Sequence, residues 1–173
     1  MLPYFGVFER TPLVTKSKLS AGLMMYRRRN CEVEVFLVHP GGPFWARKDE
    51  GSWSLPKGEY ASNEDPLDAA KREFSEETGF PVDGPFLALG EVTQSGGKHV
   101  TAWALEKDLD AASIKSNTFS MEWPPKSGKV KEFPEVDRAA WFSLPDARAK
   151  ILKGQLPFLD RLAGELGLPP LKE

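Results

Sequence analysis

A chain of 173 residues, 40% hydrophobic and 28% charged, is long enough for one domain with a sizeable core and too apolar for a disordered segment. Its formal net charge of −2 lacks the basic excess of a general nucleic-acid binder, so no stable nucleic-acid complex is expected. Cys31 is the lone cysteine, which excludes an internal disulfide and a cysteine zinc site, fits a reducing, cytoplasmic setting, and leaves Cys31 as a small buried hydrophobe in a strand.

Residues 1–16 are irregular, with Pro3 and Pro12, and read as a tail or an edge strand; 17–173 read as a single domain. Residues 19–26 and 33–39 are apolar runs of strand length, with a polar turn over 27–31. Residues 40–51, with Gly41, Gly42 and Pro43, read as a loop. A helix follows: Asp65 suits its cap, Pro66 its first position and Gly79 its stop. Strands are predicted over 86–92 and 99–105, joined by 93–98. Residues 108–132, rich in Lys, Ser and Pro, read as a long loop of the kind that carries function. A last strand over 139–142, a helix from Ser143 to about 152 and a short helix over 155–166 complete the order. The N-terminus lacks a basic segment followed by an apolar run, and no stretch has the length of a membrane span, so neither a signal peptide nor membrane insertion is expected.

The first helix carries an electrostatic oddity. Its apolar side is Leu67, Ala70 and Phe74, while Glu73, Glu76 and Glu77 centre about a quarter-turn away. Carboxylates at a helix C-terminus oppose the helix dipole, and Glu73 to Glu77 is a like-charge pair at i, i+4. A chain that accepts both costs has a cation to place there. Carboxylates at i, i+3 and i+4 supply hard oxygen donors suited to Mg²⁺ or Mn²⁺.

The surrounding residues complete a pattern. Gly58, Glu64, Arg72, Glu73, Phe74, Glu76, Glu77, Gly79 and Phe80 match, without departure, the signature of the Nudix hydrolases, which this sequence resembles. Its fixed positions would match by chance about once in a hundred million start positions, from average residue usage. The lead-in from Trp53 to Lys57 also resembles the family's. The resemblance implies an α/β/α sandwich with a mixed sheet between helices, and metal-dependent cleavage of a phosphoric anhydride. It implies Glu73 and Glu77 as metal ligands, Glu76 as a ligand or the base that activates water, and the Gly58 carbonyl as a further ligand. Arg72 is implied to orient a glutamate, and Glu64 to be structural. It also implies one more acid beyond the box. Glu135, six residues before Trp141, fits that place, with Glu132 and Glu122 as rivals.

Lys57, Arg47, Lys48, Lys126, Lys129 and Lys131 are candidates to meet phosphates. Trp45, Trp103 and Trp123 are candidates to stack on a base, with Trp123 first because its loop setting suggests exposure. His39 and His99 have no metal-ligand spacing and read as structural or surface residues. The expected partner is a small-molecule nucleotide: a nucleoside triphosphate or oxidised nucleotide, then a dinucleoside polyphosphate. Residues 91–98 contain none of the Pro or Tyr markers that some subfamilies carry past the box. A non-catalytic nucleotide sensor is the alternative; such proteins usually lose box glutamates, which this chain keeps. Oligomeric state is not legible.

Overall fold

Two apolar runs form the middle of the sheet. β1 (Leu19–Arg29) and β2 (Glu32–Pro40) pair antiparallel through Tyr26↔Val35 to Arg29↔Glu32. The computed structural model describes residues 18–171, so the expected tail or edge strand over 1–16 lies outside it. The turn between the strands is only Asn30 and Cys31, at φ 51° and 64°. Both values are positive, as the common two-residue hairpin turn requires. Arg27 and Arg28 therefore extend the strand, with Arg27 held by Glu34 at 2.6 Å. Cys31 sits at the turn and is exposed, which corrects its expected burial in a strand.

Both strands are covered on both sides. Ala21, Leu23, Met25, Phe36 and Val38 face one core, while Met24, Tyr26, Val35 and Leu37 face another. Two-sided burial explains why these strands read as nearly continuous apolar runs. β4 (Leu87–Gln94) and β5 (Lys98–Glu106) form the expected hairpin. β8 (Val136–Ser143) contains the last predicted strand and begins earlier than expected. The main sheet runs β4-β5-β1-β2-β8, with β3 (Lys57–Glu59) paired to β1 off this path. β1 and β5 are parallel and the remaining pairs antiparallel, so the sheet is mixed.

Helices complete the sandwich. α1 (Pro66–Thr78) lays Ala69, Ala70 and Phe74 on one face, where Phe74 meets Phe36 at 6.0 Å between ring centroids. α2 (Leu144–Lys150) and α3 (Leu156–Glu165) cover the other with Leu144, Ala147, Phe158, Leu159 and Leu162. The predicted punctuation of α1 is as read: the Asp65 carboxylate accepts from the amides of Leu67 and Asp68, and Gly79 closes the helix at φ 80°. α2 stops short of residue 152 because Ile151 leaves the helix to bridge Trp53.

Residues 108–132 are not one long loop. They contain a 3₁₀ turn (Ala111–Ser113) and β6 (Thr118–Glu122), which pairs with β7 (Val130–Pro134). Phe119 and Phe133 face each other in this ribbon, 6.0 Å apart. β6 does alternate, with Phe119 and Met121 turned in between exposed neighbours, but the alternation lasts only five residues and β7 lacks it, so the surrounding Lys, Ser and Pro dominate the segment. Among the described residues no helix is long and apolar enough to cross a membrane.

Candidate active site

The segment from Lys57 to Gly79 folds as strand, turn and helix, which brings the box carboxylates against β3. The Lys57 amide donates to Glu77 Oε2 at 3.1 Å. A methyl group added at Gly58 would collide with the Glu73 carboxylate. Glycine is needed there for close approach, not for a special backbone angle. Arg72 ties the cluster together. Its Nε and Nη2 donate to the two oxygens of Glu64 at 3.0 and 3.1 Å. Its Nη1 reaches Glu73 Oε1 at 2.6 Å and Glu76 Oε1 at 3.5 Å. One guanidinium thus serves three carboxylates in a fork geometry that lysine cannot reproduce.

Negative charge still exceeds what Arg72 offsets. Burial pushes the Glu73 carboxyl up, Arg72 opposes this, and the charges of Glu76 and Glu135 add to it. Burial pushes Glu77 up to about 8, against the pull of the Lys57 charge and amide and with a further push from Glu73 and Glu135. The Lys57 ammonium is lowered, first by burial and then by Lys98, while Glu77, Glu73 and Glu59 oppose the shift. Desolvation disfavours each charged form, and only a nearby opposite charge restores it.

Among the described residues, no three His, Cys, Asp or Glu side chains close into a ready-made metal cage. The reason is local: Glu73 is turned to Arg72 and Glu77 to the Lys57 amide. The donor chemistry nevertheless fits a hard divalent cation, since all the box carboxylates are oxygen donors crowded on one helix side. The cation would also reverse the upward pressure on Glu73 and Glu77.

Glu135 joins this group from the far end of the sequence. It links β7 to β8, its amide donating to Asn117 O at 2.8 Å and its carbonyl accepting from the Gly41 amide at 2.9 Å. With Lys57, Glu77 and Trp45 it lines a pocket of about 210 Å³. Its rivals lie elsewhere: Glu132 faces Ser120 in the ribbon, and Glu122 accepts from the Gly128 amide at 2.8 Å. Neither lines the pocket.

The substrate-side candidates divide. Lys57 and Trp45 line the pocket; Arg47, Lys126, Lys129 and Trp123 do not. Lys126 and Lys129 are exposed at the turn of the ribbon, as Arg47 is in its own loop. Trp123 is half-buried against Phe44, 5.4 Å between centroids, which corrects its expected exposure. Trp103 packs into the core beneath α1. Lys48 lies over the Trp45 ring, 4.5 Å from its centroid. The pocket also holds Ser52 and Ser54, which no spacing marked. Ser54 is held by Gln155, whose Nε2 donates to its hydroxyl at 3.0 Å across a separation of 101 residues. A larger shallow groove of about 790 Å³ runs beside Arg27, Asp108 and Trp141 and shares no residue with the carboxylate pocket.

The model of the NUDIX domain family matches residues 16–162. The chain belongs to this family. Its Nudix domain is similar to the RNA pyrophosphohydrolase of Bartonella henselae, 34% identical over 107 residues, covering 53% of this chain and 57% of that protein. The chain thus matches little more than half the length of this relative. Among solved structures it is similar to a Caenorhabditis elegans Ap4A hydrolase in a binary complex, with TM-score 0.60, 21% identity, and 87% of this chain and 98% of that chain covered. It is also similar to the NUDIX domain of Shewanella oneidensis NrtR complexed with ADP ribose, with TM-score 0.61, 16% identity, and 87% and 89% of the two chains covered. At such identities the structural likeness establishes the fold, which is the expected Nudix α/β/α sandwich.

Proposed function

We propose that this Nudix domain is a pyrophosphohydrolase, cleaving a phosphoric anhydride in a nucleoside diphosphate linked to another group. The observation that carries this reading is the half-buried carboxylate cluster of Glu73, Glu76 and Glu77, organised by Arg72 and fitted against Gly58. Glu73, Glu76 and Glu77, with the Gly58 carbonyl, would hold Mg²⁺ or Mn²⁺. When bound, the ion supplies charge stabilisation on phosphate oxygens and lowers the pKa of an attacking water. Glu76 would serve as a ligand or as the base that takes a water proton, and its side chain, 40% exposed against 13% for Glu73, leaves it the more accessible of the two to water. Arg72 keeps Glu73 and Glu64 in place and acts as a positioning residue. Glu135 adds a carboxylate from the opposite wall and shares in holding the ion or directing the water. Lys57 offers its ammonium to the phosphates from within the pocket.

The substrate class is a nucleotide with at least one anhydride, with a (deoxy)nucleoside triphosphate or an oxidised nucleotide first and a dinucleoside polyphosphate next. A 5′-triphosphorylated RNA end is a second reading, favoured by the 34% identical relative named as an RNA pyrophosphohydrolase. A cytoplasmic setting goes with any of these substrates. The test is a panel of nucleoside triphosphates, dinucleoside polyphosphates and 5′-triphosphorylated RNA, with Mg²⁺ or Mn²⁺ and products identified. Release of nucleoside monophosphate from triphosphates supports the first reading, and release of pyrophosphate from RNA the second. Glu76→Gln is expected to lower kcat by about 10²- to 10⁴-fold, the usual range for a lost general base. No hydrolysis of any substrate with either metal would leave the sensor reading standing instead.

A further inference from the structure

His39 is fully buried, yet both of its ring nitrogens have partners. Nε2 lies 2.7 Å from the Lys48 carbonyl, and Nδ1 lies 2.8 Å from Asp137 Oδ1. A carbonyl only accepts, so Nε2 carries a proton and donates it. A β-bulge makes the second contact possible. His39 pairs with Arg138 and Pro40 with Val136, so Asp137 is an extra residue in β8. Such an insertion re-aims a side chain, and here the Asp137 carboxylate reaches the ring.

The target of this pair is a loop. Among the described backbone hydrogen bonds, the Gly41 amide and the Gly51 amide tie its ends to Glu135 and Ala149. Between those ends, Trp45 bonds to Gly42 and Lys48 to Trp45, which are contacts within the loop itself. From Gly42 to Lys48 the backbone group held from outside is the Lys48 carbonyl, by His39 and more distantly by Arg138 Nη2 at 3.3 Å. Trp45 and Lys48 form one turn, joined by the Lys48 amide and by the ammonium over the indole. A fixed Lys48 therefore means a fixed Trp45, and Trp45 lines the pocket with Lys57, Glu77 and Glu135.

We infer that the buried His39–Asp137 pair is a positioning device for substrate recognition: it fixes the Gly42–Lys48 turn so that Trp45 forms the aromatic wall on which the base of the nucleotide stacks. The inference rests on the nucleotide reading above but not on catalysis. One indole face is covered by Lys48, which leaves the other for a base, and stacking of this kind tolerates any base. His39 touches no substrate in this arrangement and acts through the loop.

Binding of the four nucleoside 5′-monophosphates and of ribose 5-phosphate, measured by calorimetry, separates the two readings. Trp45→Ala is expected to weaken the nucleotides about 5- to 100-fold, the range for a lost stacking contact, and to leave ribose 5-phosphate unchanged. His39→Ala and Asp137→Asn are expected to act in the same direction. The double variant His39→Ala/Trp45→Ala is expected to bind no more weakly than Trp45→Ala alone, because residues acting through one contact are not additive. Hydrogen exchange is expected to quicken at residues 42–48 in Asp137→Asn while α1 is unchanged. Wild-type protein that binds none of the monophosphates, Trp45→Ala binding that matches wild type, or additive losses in the double variant would each overturn the inference. Because Trp45 is half-exposed and Asp137 exposed, these variants decide the matter even if His39→Ala does not fold. Absence of hydrolysis with nucleotide binding intact would overturn the catalytic proposal alone.

Discussion

At the scale of the residue, Glu77 has the most to lose from an empty site. Its carboxyl is pushed up to about 8 from 4.5, with burial as the first cause. Between those values the folded chain retains a proton that the unfolded chain has released. The Glu77 contribution to stability is therefore full below about pH 4.5 and is lost as pH rises through about 8. In chelator-treated protein the melting temperature is expected to fall across this window, and Glu77→Gln is expected to flatten that part of the slope; an unchanged slope would remove Glu77 as its source. The box announced Glu73, Glu76 and Glu77 from sequence because the family's spacing is so specific. What it could not announce was the Lys57 amide on Glu77, or which of the three tryptophan candidates would line the pocket, since both depend on where separate segments meet.

At the scale of the element, α1 was the most legible part because each of its limits has a local cause. The Asp65 carboxylate caps two amides. Asp65→Ala is expected to cost about 1 kcal/mol, the usual value for a lost N-cap, measurable in urea and without change in kcat at temperatures well below melting. The β6–β7 ribbon was the least legible, because its exposed polar residues imitate a loop and its pairing is settled by Phe119 against Phe133. That pairing carries Lys126 and Lys129 to an exposed turn. The double variant Lys126→Ala/Lys129→Ala is accordingly expected to change KM by less than about 3-fold in 0.15 M salt, where surface charges beyond a Debye length are screened. A larger rise in KM would return these lysines to the substrate.

At the scale of the whole molecule, the sheet divides two tasks between its faces. The α1 side holds the carboxylates, and the α2–α3 side holds a second apolar core with Phe158, Leu159 and Leu162. The layers were legible through the family resemblance, and the apolar runs of β1 and β2 agree with it; the order of the strands was not legible, because it depends on pairings across long sequence separations. A ligand that binds only the folded state raises its stability, by about 2.7 kcal/mol at a hundred times its Kd. Mn²⁺ or Mg²⁺ is expected to raise the melting temperature, and by more at pH 8.5 than at pH 6, where protons compete for Glu77. No shift with either ion would count against the assigned ligands.

The bulge in β8 has a consequence for how the molecule tolerates change. With Asp137 deleted, Arg138 would still face His39 and Val136 would still face Pro40 in a now uninterrupted ladder, so the strand would keep its register and its sides. Val136 would stay buried and Glu135 would stay at the pocket, while His39 would lose its carboxylate partner. Asp137 is thus a residue the ladder does not need, and its place in the molecule is defined by the buried ring its carboxylate reaches rather than by the strand that carries it.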